Sequence, residues 1–239
     1  MEHPILFINL LLAKLGIHVP EIEEAHSFTD YLVQPHVTYT WVVMALLLIL
    51  SALAVKSLKM VPGGGQNFFE LVVTGMEEFM EGITGEEGMF MFPLIATLGI
   101  FILVSNYLGM IPGFYSPTAN INTTACCAII VVVMTHVIGI KFHGVKYIKH
   151  FMGPVWWLMP LIFVIEVIGH IARLFSLSIR LFGNIFGEEL VLGILFFLAG
   201  VYMAPLPMMV LGLLTGLIQA FIFCVLSMMY FAGAIEHAH

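Results

Sequence analysis

Long apolar runs separated by short polar breaks divide the chain, and their lengths predict membrane helices. The first run, 37–55, is 19 residues long, enough to cross a bilayer core about 30 Å thick at about 1.5 Å per residue. Lys56 and Lys59 end it, and Pro62-Gly63-Gly64-Gly65 breaks the chain. The pattern then changes over 66–83. Phe69, Val72, Val73, Met76 and Met80 recur at helical spacing against Glu70, Glu77, Glu78 and Glu81, as in an amphipathic helix at the membrane surface. Gly85-Glu86-Glu87-Gly88 is the expected exit turn. Further spans follow at 89–110, closed by Ile111-Pro112-Gly113, and at 124–140, after a polar loop from Ser116 to Asn122. A basic loop with Lys141, His143, Lys146, Lys149 and His150 leads to two longer runs, 159–198 and 208–234, joined by a turn at 200–207. The longer of these is about 60 Å by helical rise, where about 20 residues suffice to cross, so it must tilt steeply or be interrupted.

These elements predict an all-α integral membrane protein: five membrane helices, a long C-terminal helical hairpin among them, and one amphipathic interfacial helix. Residues 37–239 form a single membrane domain in this reading, and 1–36 an extramembrane or interfacial segment. The apolar stretch at 4–19 is short, contains Lys14, and is followed by Glu21, Glu23, Glu24 and Asp30. A signal peptide starts with positive charge, whereas this chain begins Met1-Glu2-His3.

The fourth long run carries the candidate chemistry. At about 100° per residue, Glu166, His170, Arg173, Leu177, Arg180, Asn184 and Glu188 share a sector about 80° wide. Six of these seven side chains are polar on an otherwise apolar helix. A charge at the bilayer centre costs roughly 2.5–3.5 kcal/mol even on lenient scales, so the stripe must face protein, water or an opposite charge. Arg180 lies roughly 21 Å along the axis from Glu166 and roughly 13 Å from Glu189. Carboxyls in poorly solvated settings can exchange protons near neutral pH, whereas arginine cannot. A proton relay could use the flanking acids, with Arg180 as an electrostatic barrier or as the partner of a mobile carboxylate. Arg173 and Glu166, one heptad apart, equally suit a tie between neighbouring helices. Asn106 suits a helix-packing hydrogen bond.

Composition narrows the class. The chain is 61% hydrophobic and 10% charged, with mean hydropathy +1.06, values typical of membrane proteins. The formal net charge of −7 says little because the charges are segregated. Cys126, Cys127 and Cys224 lie in apolar runs with no disulfide framework or metal-type spacing, so neither a metal nor a cofactor is expected. Arg173 and Arg180 apart, five of the six remaining Lys and Arg (Lys56, Lys59, Lys141, Lys146, Lys149) follow the first and third spans. The bias of basic residues toward the cytoplasm then puts the N-terminus outside and the C-terminus inside. Glu166 falls toward the cytoplasmic face, and Glu188 and Glu189 toward the outer face. A secondary transporter is the competing class, but no two-fold repeat or pair of broken helices is evident. No His-Glu-x-x-His or Gly-x-Ser-x-Gly run supports an intramembrane hydrolase.

The run Ser178-Ile179-Arg180-Leu181-Phe182-Gly183-Asn184, then Gly187-Glu188-Glu189-Leu190, and later Leu217-Ile218-Gln219-Ala220-Phe221-Ile222-Phe223 resembles subunit a of F-type ATP synthase. Ser105-Asn106-Tyr107-Leu108-Gly109-Met110-Ile111-Pro112-Gly113 and Pro117-Thr118-Ala119-Asn120-Ile121-Asn122 resemble it too, and the likeness covers most of the chain from about residue 36. The resemblance implies a stator subunit with two proton half-channels that couple proton flow to rotation of a c-ring. The c-ring, a peripheral-stalk subunit b and the lipid bilayer are the implied partners. No nucleic acid and no directly bound nucleotide are implied, and ATP chemistry falls to other subunits. Arg180 matches the family's essential arginine and Gln219 the glutamine close to it. Asn184 and Glu189 match polar residues of the outer half-channel, and Glu166 the acid near the cytoplasmic one. His170, one turn from Glu166, could join that path or serve helix packing. Some bacterial members carry a histidine seven residues before the glutamine, where this chain has Gly212. The extra acid Glu188 could substitute for it, and whether Glu188 or Glu189 relays protons stays open. The implied location is a bacterial inner membrane.

Overall fold

The computed structural model describes residues 14, 33–56, 63–111, 113–144, 159–199, 203 and 205–236. The segment expected at 1–36 thus lies outside the described residues except for Lys14 and 33–36, as do Lys59, Lys146, Lys149, His150 and half of the 200–207 turn. Six long helices make up the described chain, with no strand among the described residues: α1 Pro35–Lys56, α2 Gly64–Gly88, α3 Phe92–Gly109, α4 Ile121–His143, α5 Met159–Ala199 and α6 Pro205–Glu236. Five helical stretches are long and apolar enough to cross a membrane: Pro35–Val55, Gly64–Gly109, Ile121–His143, Pro160–Leu198 and Pro205–Glu236. The protein is an all-α, multi-pass membrane protein.

Local chemistry sets the breaks. Gly85 sits at φ 67° and ψ 178°, a backbone region open essentially to glycine. The helix therefore stops there and restarts, passing through a 3-10 turn at Met89–Met91 into α3. Pro93 lies in the first turn of α3, where its missing N–H has no partner to lose. The Asn120 side chain accepts a 2.9 Å hydrogen bond from the Asn122 N–H and caps α4. The amphipathic pattern over 66–83 lies within α2: Glu70, Glu77, Glu78 and Glu81 are exposed, Met80 is buried, and Val72 and Val73 on the apolar side are left uncovered by this chain.

The core is where α3, α4, α5 and α6 meet, around Ile95, Ile102, Val131, Ile138, Leu181, Phe223 and Phe231. α5 and α6 run antiparallel in a fixed register. Arg173 packs on Tyr230, Asn184 bonds Gln219, and Glu188 meets Thr215, so partners advance on one helix as they retreat on the other. α4 is likewise antiparallel to α5, with Thr124 beside Ser178 at one end and His136 beside His170 at the other. Large apolar side chains on α1 and the outer face of α5, among them Leu48, Leu53, Ile165 and Phe175, are exposed. Apolar surface on that scale is unsuited to water and suits acyl chains or partner helices.

Close approach of α3 and α6 depends on Gly99, where an added Cβ would run into the Cys224 sulfur. Gly99→Val should therefore lower stability by about 1–3 kcal/mol, read as an earlier unfolding midpoint in detergent micelles. An unchanged midpoint would mean that the α3–α6 contact tolerates the added bulk.

Candidate functional site

The polar side chains of α5 separate into two clusters, with Arg180 between them. The first lies where the 113–120 loop meets the α5–α6 pair. One turn beyond Arg180, Asn184 Nδ2 donates to Gln219 Oε1 at 2.7 Å, and Gln219 is buried on α6. One turn further, Glu188 Oε2 accepts from the Thr215 hydroxyl at 3.2 Å. Gly212 leaves the space that the Glu188 carboxylate fills, since a Cβ there would overlap it.

Glu189, next along α5, turns away from α6 and toward the loop. Its Oε1 accepts the Ser116 backbone N–H at 3.0 Å. Gly109 makes room for it on α3, where an added Cβ would sit 2.8 Å from the same oxygen. Behind this contact runs a chain of buried polar groups. The Ser116 and Thr118 hydroxyls lie 2.7 Å apart, Ser116 Oγ donates to the Ser105 carbonyl, and Thr118 Oγ1 is 2.7 Å from Asn106 Oδ1. Asn106 Nδ2 in turn donates to the Gly216 carbonyl on α6 at 3.2 Å. Tyr39 on α1 fixes the loop from its far side through a 3.2 Å bond to the Gly113 carbonyl. Between loop and acid, burial and the nearby Glu189 charge push the Tyr115 phenol up to about 12, so it stays a neutral hydroxyl at physiological pH.

The second cluster lies at the opposite end of the bundle. His170 Nε2 is 3.7 Å from Glu166 Oε1, one turn back on α5. The His136 ring on α4 stands edge-on to the His170 ring with centroids 4.5 Å apart. Arg173 lies over the Tyr230 ring, 5.4 Å from its centroid.

Arg180 belongs to neither cluster. Its residue is exposed on α5, while its neighbours Leu177, Ser178 and Leu181 are buried against the bundle. Among the described residues it forms no ion pair. The structure thus brings Asn184 to Gln219 and Glu166 to His170, and separates Glu188 from Glu189 onto different neighbours. Asn106 does make a helix-to-helix bond, and it also accepts from the loop.

Several residues of these clusters are invisible to a reading of helix phase. Ser105, Ser116 and Thr118 are ordinary loop or helix hydroxyls in the sequence, and only the fold of the 113–120 loop carries them to Glu189. His136 is a histidine in the apolar middle of α4. Its one signal is that it is polar in a run otherwise rich in Val and Ile.

With this geometry in place, residues 37–232 match the sequence model of the family described as ATP synthase A chain. Among known proteins, the chain is 78% identical to ATP synthase subunit a of Syntrophobacter fumaroxidans, over the whole of both chains. It is 56% identical to the subunit a of Desulfosudis oleivorans and 52% identical to that of Geobacter sulfurreducens, again over the full length of each.

The fit of Glu188 into the space at Gly212 makes a stability prediction. Gly212→Val should force the carboxylate off Thr215 and cost about 1–3 kcal/mol, while adding Glu188→Gly should recover most of that loss. Equal midpoints for the single and double variants would show that the two positions are not coupled.

Proposed function

The chain belongs to the ATP synthase A chain family, and from that membership we propose that the two polar clusters of α5 are the ends of two separate proton paths flanking Arg180. The protein is subunit a, a stator component of the membrane sector, and the catalytic chemistry on ATP resides in other subunits. The exposed, ion-pair-free setting of Arg180 between the clusters carries the reading. A guanidinium that the described residues leave without an ion pair inside a membrane suits a partner that brings a carboxylate to it. A rotating ring of c subunits, each with one ionisable carboxyl, is that partner.

A proton enters from the outer side along the Ser116, Thr118 and Asn106 network to Glu189, and passes by Asn184 and Gln219 to a ring carboxylate. Glu189 is the relay because its oxygen is joined to that network. Glu188, set against Thr215 and Gly212, fills the place that a histidine takes in some relatives and tunes the same path. Once neutral, the ring carboxyl can face lipid while the ring turns. Its proton leaves on the other side past His170 and Glu166. Arg180 stays protonated throughout, so it holds the emptied ring carboxylate in its ionised form and its positive charge blocks direct proton passage between the two paths.

The basic residues at Lys56, Lys59, Lys141, Lys146 and Lys149 support an orientation with the Glu166 end toward the cytoplasm and the Glu189 end outside. A bacterial inner membrane is the setting. Subunit b of the peripheral stalk is the second protein partner, and the uncovered apolar faces of α1 and α2 are available to it.

Arg180→Ala should abolish ATP-driven acidification of inverted vesicles while the complex still assembles. Arg180→Lys should fail as well, because an ammonium lacks the planar fork and sheds its proton more readily when desolvated. Pumping at the wild-type rate in either variant would remove Arg180 from the ion path.

A further inference from the structure

His136 lies outside the α5 stripe and has no place in the path described above, yet it is the neighbour of the most enclosed titratable group in the inner cluster. The His170 side chain is 15% exposed and that of Glu166 is 34% exposed, so Glu166 is the more open of the two. The two imidazoles meet at right angles, 85° between planes and 4.5 Å between centroids. At that separation a ring rotation or a single water joins a nitrogen of one to a nitrogen of the other. The charged and titratable groups facing the pair are Glu166 and Arg173 from α5 and, beyond Arg173, Tyr230 from α6. Two imidazoliums this close, with the Arg173 guanidinium beside them, would repel each other, so the pair can take up one extra proton at a time but not two.

We propose that His136 and His170 form a proton-carrying pair that conducts protons between the inner flank of Arg180 and Glu166. The proposal rests on the two-path reading given above and extends it with a residue from a second helix. The chemistry balances without a further reactant. An imidazole takes a proton on one nitrogen and gives one up from the other, so each transfer returns the donating ring to its neutral form. The proton that leaves the pair is taken up by the Glu166 carboxylate, which passes it to water and is ionised again. Arg173, parked on the Tyr230 ring, cannot titrate and repels an excess proton on the pair, so a proton is passed on rather than trapped there, whichever way the flow is driven. A packing role alone would need only the shape of the rings.

The test uses the intact complex in inverted vesicles, where the face bearing Glu166 meets the bath. His136→Gln, His170→Gln and the double variant are compared by ATP-driven acidification as the bath pH is stepped from acid to alkaline. Assembly is checked by ATP hydrolysis. Each single variant should slow pumping at least about tenfold, the loss of a well-placed acid–base group, and should change its dependence on bath pH. The double variant should be no slower than the slower single one, because both rings serve one route. His136→Asn carries the same comparison if Gln disturbs packing. Wild-type rate and wild-type pH dependence in an assembled His136 variant would overturn the pair. So would a loss of rate with an unchanged pH profile, the mark of packing alone. Arg180→Ala measured alongside separates the two ideas: if it still pumps, the underlying reading fails, and if it is silent while His136→Gln is normal, only the pair fails.

Discussion

A guanidinium stays charged at any pH a cell visits, and a lipid bilayer makes that charge costly wherever it is unmatched. Much of this fold is arranged around the difficulty. α5 packs on the bundle through Leu177, Leu181 and Ile185, which turns Arg180 outward. The α5 carboxylates stand well to either side: Glu188 accepts from Thr215, Glu189 accepts from Ser116, and Glu166 lies 3.7 Å from His170. Glu188 and Glu189 would each give up a hydrogen bond to swing to the arginine. Among the described residues, Arg180 thus stands as a fixed positive charge without an ion pair.

The same arrangement explains why the polar groups lie in two clusters rather than in one continuous line. Between Asn184 and Arg173, the side of α5 turned to the bundle offers Leu177, Ser178 and Leu181, and the one hydroxyl among them, Ser178, is taken up by Thr124 on α4. A line of water along that stretch would find few partners, and an apolar gap too poor in polar groups stays dry. The antiparallel register of α5 and α6 maintains this division, because the contacts at 173 with 230 and at 188 with 215 fix both ends of the pair at once.

Helix identity was legible in the sequence because apolar runs of membrane length have few other uses, and breakers such as Gly85 and Pro112 mark where they stop. Helix phase also went some way into the site. It grouped Glu166, His170, Asn184 and Glu188 on one stripe and set Glu189 about 100° aside, and the two acids do have different neighbours. What phase could not show is that the off-stripe acid meets the richer hydrogen-bond network. That network comes from a loop some 70 residues earlier, and no periodicity along α5 reports on it. His136 is a similar case: its neighbour is on another helix, and only the antiparallel packing of α4 on α5 reveals the pairing.

The 113–120 loop has a consequence for the order in which the protein is made. It is held by Tyr39 on one side and Glu189 on the other, bonds that span 74 and 73 residues of sequence. When the ribosome has produced only α1 to α4, the loop has its early anchor and lacks its late one. Gly216 and Gln219, which complete the polar network, come later still. A partly synthesised chain in the membrane therefore has its loop hydroxyls and Asn106 but not yet Glu189 and Gly216, the partners that join them to α5 and α6, and these contacts form only when the last two helices arrive.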